Sequence, residues 1–512
     1  MNGARALLST LVANDVTVCF ANPGTSEMQF VAALDEEPRM RSVLCLFEGV
    51  VTGAADGYAR MAGVPACTLL HLGPGYANGA ANLHNARRAG TPIVNVIGDH
   101  ATYHRQYDAP LNSDIAALAA PNSLWVKSAD TPDSVAPLAA EAVTASYGAP
   151  GGPVSLILPA DAAWLPTDIV PVTALRPAPA PVAPALVSAT ATAIRAARKP
   201  AIVLGGAACL ADALAQAARL AAAGIAVYTD TFVARQPRGE GVFLPRKMPY
   251  FGELALAELD GVDLLVVVGT TIPVSFFAYP DKPSVLVPEG CESFTLADRG
   301  QDAAAALAAL ADALDAPSEG PVQALALPAA PTGALDPMKA AASIARHLPH
   351  GAILCDDAVT SSAAIAMATT TARQHDMLAL TGGAIGIGLP LAIGAAVARP
   401  DAKVFALSGD GSAMYTVQAL WTMAREQLDV IVVIFANHSY RILNIEMTRT
   451  GAGQAGPAAR KLLDLGEPKI DWVAMAQAHG VPAVRCETAE AFDTAIADAV
   501  AARGPRLIEA AV

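Results

Sequence analysis

Short apolar runs alternate along the chain with Ala-rich segments of helical spacing. The runs are Val16–Ala21, Val43–Phe47, Ala66–Leu70, Ile93–Ile97, Ala201–Leu204, Leu264–Val268, Ile353–Cys355, Val404–Leu407 and Val430–Phe435. Each has the length of a strand buried on both faces and is too short for a helix. Tyr415–Glu426 has the helical period, with Val417, Leu420, Trp421 and Ala424 on one face. The pattern predicts an α/β protein of parallel sheets covered by helices. Two Pro/Ala-rich stretches without periodicity, Pro171–Pro184 and Ala316–Pro337, read as ordered linkers. They leave three blocks, 1–170, 185–316 and 338–512, each of a size typical for one domain.

Composition narrows the class. The chain has 512 residues, 53% hydrophobic and 16% charged, which suits several well-buried α/β domains. Net charge is −14 with no basic run, so nucleic acid is not an expected partner. Seven scattered cysteines without a CxxC pair point to a reduced, cytoplasmic chain with neither a disulfide framework nor a zinc site. The N-terminal stretch reads as an amphipathic first helix, and no apolar run reaches membrane-spanning length.

Candidate chemistry gathers where the strands end, the usual ligand crevice of parallel sheets. Val404–Leu407 runs into Gly409-Asp410-Gly411-Ser412, and Val430–Phe435 runs into Asn437. A right-handed strand–helix–strand unit brings Asp410 and Asn437 to neighbouring strand ends. A carboxylate, an amide oxygen and a turn carbonyl suit Mg²⁺ or Ca²⁺ better than zinc. Taken alone, the GDG turn reads as a tight turn and Asn437 as a cap; the strand–helix–strand context with the Asn at its far end reverses that in favour of the ligand reading. Glu48 precedes a Gly/Ala-dense helix, which suits either a partly desolvated functional carboxylate or a helix-start glutamate. His71 follows a strand, and Gly98-Asp99-His100 follows another. His100 and His104 have i,i+4 spacing without an evident third metal ligand. His84 reads as part of a structural helix. Gly205-Gly206 and Gly269-Thr270 in the middle block read as structural turns, and Gly382, Gly383, Gly386 and Gly388 permit close approach to a ligand.

GDG followed by an Asn pair resembles the thiamine-diphosphate (ThDP) motif; 24 residues separate Gly411 from Ala436-Asn437, with Ala436 in place of the first Asn. EGVVTGAADGYAR resembles the glutamate segment of the 2-oxo-acid decarboxylase and acetolactate synthase superfamily, above all benzoylformate decarboxylases and acetolactate synthase-like proteins. The resemblance runs along the chain. It implies a pyrimidine-binding domain first, a Rossmann-like middle domain second and a diphosphate-binding domain last. By that resemblance Asp410, Asn437 and the Ser439 carbonyl hold Mg²⁺ against the diphosphate, with Gly409, Gly411, Ser412 and Tyr440 around them. Glu48 bonds the aminopyrimidine ring. Asn22, Pro23, Gly24, Thr25 and Asn78 line the cleft, Asp357 and Thr360 lie near the diphosphate, Gly383 offers its carbonyl to the 4′-amino group, and Ile385 is the apolar wedge. His71, His100 and His104 are the proton handlers, and Pro110 and Leu111 lie on the substrate side.

The implied function is decarboxylation of a 2-oxo acid through an enamine that is protonated to an aldehyde or ligated to a second carbonyl. An acetolactate synthase-like carboligase is the alternative within the superfamily. A ThDP-binding regulatory subunit without turnover is the alternative outside it, and the presence of Glu48 argues against that. The family builds each site between two chains, which implies a homodimer at least, and a homotetramer as a dimer of dimers. FAD in the middle block is possible but not indicated. The chain departs from its relatives in three places: Phe276 and Phe277 stand where benzoylformate decarboxylases carry a second catalytic histidine, Asp99 where acetolactate synthases carry a glutamine, and Glu446 and Met447 where they carry a tryptophan.

Overall fold

The computed structural model describes residues 1–169 and 171–512, so residue 170, the expected end of the first block, lies outside the described residues. The first block forms β1 (Val18–Ala21), β2 (Arg41–Leu44), β3 (Ala66–Leu70), β4 (Ile93–Asp99), β5 (Val126–Ser128) and β6 (Pro153–Pro159). They make one parallel sheet in the order β2-β1-β3-β4-β6-β5. The middle block supplies β7 (Pro200–Leu204), β8 (Ala226–Thr229), β9 (Gln236–Arg238), β10 (Arg246–Lys247), β11 (Leu264–Val268) and β12 (Glu292–Ala297). Five of these form a second parallel sheet, β10-β8-β7-β11-β12. The third sheet contains β13 (Ala352–Asp357), β14 (His375–Ala379), β15 (Val404–Gly409), β16 (Val430–Ala436), β17 (Ala483–Cys486) and β18 (Arg506–Ala511). Its order is β17-β18-β16-β15-β13-β14-β9, with β9 added antiparallel at one edge. The fold is thus α/β, with three mostly parallel sheets and helices on their faces. Among the described residues no helix is long and apolar enough to cross a membrane.

Each sheet has a point where the chain order reverses, and there a crevice opens at the strand ends. In the first sheet it lies between β1 and β3, and in the third between β13 and β15. The first crevice receives Asn22–Glu27 and His71, the third Asp357 and Asp410. In the second sheet the crevice between β7 and β11 is filled from within. A Cβ on Gly205 would lie 2.4 Å from Asp230 Oδ2 and 2.5 Å from Thr270 Cβ, so Gly205 is accounted for by packing.

Two local expectations are corrected. The Val43–Phe47 run is only partly strand: β2 is a half-exposed edge strand ending at Leu44, and Glu48 is the first residue of the helix Glu48–Ala62. The helix Leu72–Ala89 starts directly after His71. The expected helix over Tyr415–Glu426 is broken into a 3-10 turn, Met414–Thr416, and a helix, Ala419–Arg425, that buries Ala419, Leu420, Thr422 and Met423. The break has a cause: the Thr416 hydroxyl donates to the Gly386 carbonyl at 2.6 Å, which draws that turn onto the glycine loop.

The first and third sheets share one core. The helices Glu48–Ala62 and Gly388–Ala398 cross face to face, burying Val50, Val51, Ala54 and Tyr58 against Leu389, Leu391 and Ile393. Their backbones touch because both carry glycine at the crossing. A Cβ on Gly57 would lie 2.1 Å from Leu391 O, and one on Gly394 would lie 1.9 Å from Ala54 O. The buried Arg60 guanidinium pairs with Asp56 at 2.5 and 2.7 Å and donates to the carbonyls of Ala234 and Ala379. One side chain thereby ties residues of all three blocks together.

Candidate active site

Two half-sites are built, one on each of the outer sheets. On the first, Glu48 is 6% exposed at its helix start and accepts a hydrogen bond from Asn78 Nδ2 at 3.0 Å. In the β1/β3 crevice, the Glu27 carboxylate accepts from the Gly24 N–H at 2.7 Å and from the Ser26 hydroxyl at 2.5 Å. His71 Nδ1 lies 2.9 Å from Glu27 Oε2 and 3.2 Å from Ser26 Oγ. A carboxylate on Nδ1 selects the tautomer and leaves Nε2 for the cleft. Gly24 has to be glycine here, because a Cβ would fall 2.2 Å from His71 Nδ1. Asn22, Pro23 and Thr25 complete the turn between β1 and this cluster.

Asp99 ends β4; it accepts from the His100 N–H at 2.7 Å and pairs with Arg105 at 2.8 Å, while burial pushes its carboxyl above the usual range. The His100 and His104 rings lie 5.5 Å apart, tilted by 57°, and His104 lies 5.7 Å from the Tyr107 ring. Neither hydrogen-bonds His71, and His100 Nε2 is buried without a partner. Among the described residues no three His, Cys, Asp or Glu side chains form a metal cluster. Tyr103, Tyr107 and Leu111 are exposed on this side.

On the third sheet, β15 ends at Gly409 and the chain turns into Asp410–Ala413, with Gly411 and Ser412 buried. Asp410 accepts from the Gly411 N–H at 2.9 Å and the His438 N–H at 2.7 Å, and its burial raises the carboxyl pKa. Asn437 Oδ1 accepts from the Ser439 N–H at 2.9 Å, so the Asn437–Ser439 turn folds around the Asp410 carboxylate. Tyr440 packs its ring against Gly411. At the end of β13, Asp357 Oδ2 accepts from the N–H groups of Gly386 and Gly388 at 2.8 and 3.3 Å. Its other oxygen, Oδ1, is buried without a partner, and burial pushes the carboxyl up to about 7. Thr360 follows Val359, a β-branched residue at φ +50° where such residues are strained. Gly383 is exposed at φ +79°, beside the Phe276 ring, and Ile385 is half-buried.

These residues fit a diphosphate held through a divalent cation. Asp410, Asn437 and the Ser439 carbonyl form an oxygen-only donor set. The orphaned, buried Asp357 Oδ1 needs a polar partner, and the exposed Gly383 carbonyl is open to one. Ser26, Glu27 and His438 escaped the sequence reading. Ser26 and Glu27 carry no local signal, because their partner His71 is brought in from 44 or 45 residues away.

The chain is a ThDP-dependent enzyme, and it belongs to the acetolactate synthase and benzoylformate decarboxylase family of those enzymes. Residues 1–118 match the model of the thiamine pyrophosphate enzyme N-terminal TPP binding domain, and residues 358–510 that of the C-terminal TPP binding domain. The chain is 51% identical over 515 residues to a Mycobacterium tuberculosis protein provisionally named acetolactate synthase large subunit IlvX, covering 100% of this chain and 99% of that one. It is 30% identical over 524 residues to a benzoylformate decarboxylase of Pseudomonas aeruginosa, covering 96% of each. Among solved structures, the ThDP-dependent 4-hydroxybenzoylformate decarboxylase of Rhodococcus jostii RHA1 superposes with a TM-score of 0.87 at 26% identity, covering 100% of this chain and 99% of that one.

Proposed function

We propose that the chain binds ThDP with Mg²⁺ and decarboxylates a 2-oxo acid with a bulky apolar side chain, releasing an aldehyde. Bound ThDP supplies a nucleophilic carbon and the electron sink on which a 2-oxo acid loses CO₂. The protein's share is positioning and proton transfer. Glu48, oriented by Asn78, would hold the aminopyrimidine ring; Asp410, Asn437 and the Ser439 carbonyl would hold the cation; Asp357 and Thr360 would face the diphosphate. The observation that carries the aldehyde reading is the Glu27–His71–Ser26 cluster. It leaves His71 Nε2 free to take up a proton and, from the imidazolium so formed, to deliver it within the cleft. The bulky substrate is supported by Phe276, whose ring lies beside Gly383 and meets Phe277 and Phe232 edge to face.

Each site takes its halves from two chains in this reading. Glu48 bonds Asn78. It is Arg60, about 18 Å further along the same helix, that reaches Ala379 and Thr381 beside the Gly383 loop. Exposed Tyr103, Tyr107 and Leu111 on one half, and Phe276, Phe277, Tyr415 and Leu443 on the other, are apolar surfaces that a second chain would cover.

The experiment is a panel of 2-oxo acids, benzoylformate and pyruvate included, assayed with ThDP and Mg²⁺ for CO₂, aldehyde and ligation products. Benzoylformate turned over to an aldehyde is the expected result, and absence of CO₂ from every acid would overturn the proposal. Carboligation is the second reading, favoured by the name of the 51% identical relative. Acetohydroxy acid from pyruvate would decide for it.

A further inference from the structure

The loop after β14, Thr381–Ala384, is gripped from the first sheet by two consecutive residues of the helix Leu72–Ala89. Asn85 is fully buried. Its Oδ1 accepts from the N–H groups of Gly382 and Ala384 at 3.1 and 3.2 Å. Its Nδ2 donates to the Ala384 carbonyl at 2.8 Å and to Asn82 Oδ1 at 3.1 Å. Its own backbone carbonyl accepts from the Thr381 hydroxyl at 2.7 Å. His84 Nε2 donates to the Gly382 carbonyl at 3.0 Å. The amide thus uses both lone pairs and both hydrogens, the full capacity of an Asn side chain.

The grip is selective. Both backbone polar groups of Gly382 and both of Ala384 are claimed. Those of Gly383, between them, make no hydrogen bond among the described residues. Gly383 is exposed and at φ +79°, so its peptide groups are open to a ligand. A clamp that served only to fasten two domains would have no reason to spare the central residue. A clamp that presents one carbonyl in a fixed direction has to pin its neighbours and leave it open.

We propose that Asn85, assisted by His84, is a positioning residue that aims the Gly383 carbonyl at the 4′-amino group of ThDP; this rests on the reading that the chain binds ThDP. Asn85 touches no cofactor atom in this scheme. It acts through the loop, and an error of about 1 Å in such a carbonyl can cost roughly a hundredfold in rate. The role differs from plain stabilisation in what it moves: the reactivity of bound cofactor, over and above the fraction of chain folded.

The test uses the full chain with ThDP and Mg²⁺. Wild type, Asn85→Ala and His84→Ala are compared by isothermal titration with ThDP, by thermal unfolding, and by hydrogen–deuterium exchange at C2 of bound ThDP after acid quench. For Asn85→Ala the expectation is an exchange rate lowered roughly tenfold to a hundredfold, with ThDP affinity weakened by less than about tenfold. His84→Ala, which loses one bond, should fall by roughly threefold to tenfold. If Asn85→Ala does not fold, His84→Ala decides alone by the same criterion. Folded, ThDP-saturated variants that exchange at the wild-type rate would overturn the positioning role. Failure of wild type to bind ThDP would instead overturn the cofactor reading, and this inference with it.

Discussion

His71 is positioned by its neighbours more than by its place in the chain. Glu27 is 3% exposed, accepts two hydrogen bonds from its own turn, and still faces the imidazole at 2.9 Å. As general acid–base residues contribute about 10²–10⁴-fold, His71→Ala should lower aldehyde formation by that factor while ThDP affinity, measured by titration, stays near wild type. Asp357 behaves differently. Its folded pKa is raised to about 7 by burial, well above the ordinary Asp value of about 3.9, so the unfolded chain gives up the proton first. Stability from this group is therefore full in acid and is lost as pH rises from about 4 to about 7. Asp357→Asn should flatten that part of the apo-protein Tm–pH profile relative to wild type. The neutral acid can also donate from Oδ1 to a phosphate oxygen. ThDP affinity of wild type should accordingly fall as pH rises through about 7, and the Asn variant should lose that dependence.

At the scale of elements, the two helices that cross at Gly57 and Gly394 hold the outer sheets in one core, and the buried Asp56–Arg60 pair on the first of them aims the guanidinium at the Ala379 carbonyl at the end of β14. Breaking a buried pair by deleting one partner costs about 3–5 kcal/mol. Arg60→Ala should lower the unfolding temperature by several degrees, read by calorimetry. Strands β3, β4, β11, β15 and β16 were legible because each is a short apolar run with glycine or a polar residue behind it, while β5, β6, β8, β12, β14, β17 and β18 were not read. The helix expected over Tyr415–Glu426 was not read correctly, since Thr416 bonds a glycine loop 30 residues upstream. Periodicity reports the average face of a segment and misses a break imposed by such a distant partner. The helix Leu72–Ala89 shows the same limit. Its Asn78 end serves Glu48 and its Asn85 end serves the Gly383 loop, yet only Asn78 drew attention in the sequence.

Over the whole molecule, the α/β class and the three sheets follow from pattern alone, and all three crevices fall where strand ends carry glycine or acid. Strand β9 did not follow, because three residues joining a distant sheet antiparallel leave no periodic signal. The two half-sites were legible as motifs, Glu48 with its helix and Asp410 with Asn437, while their supporting residues came from tertiary contacts. How the halves meet is the central question. The most direct measurement co-expresses Glu48→Gln and Asp410→Ala chains, each expected to be inactive alone, and measures 2-oxo-acid decarboxylation of the mixture. If each site is shared between two chains, a mixed dimer holds one site with both groups intact, and a statistical mixture should recover about a quarter of wild-type activity. Mixed dimers, verified by native mass spectrometry, that stay as inactive as either parent would contradict the account.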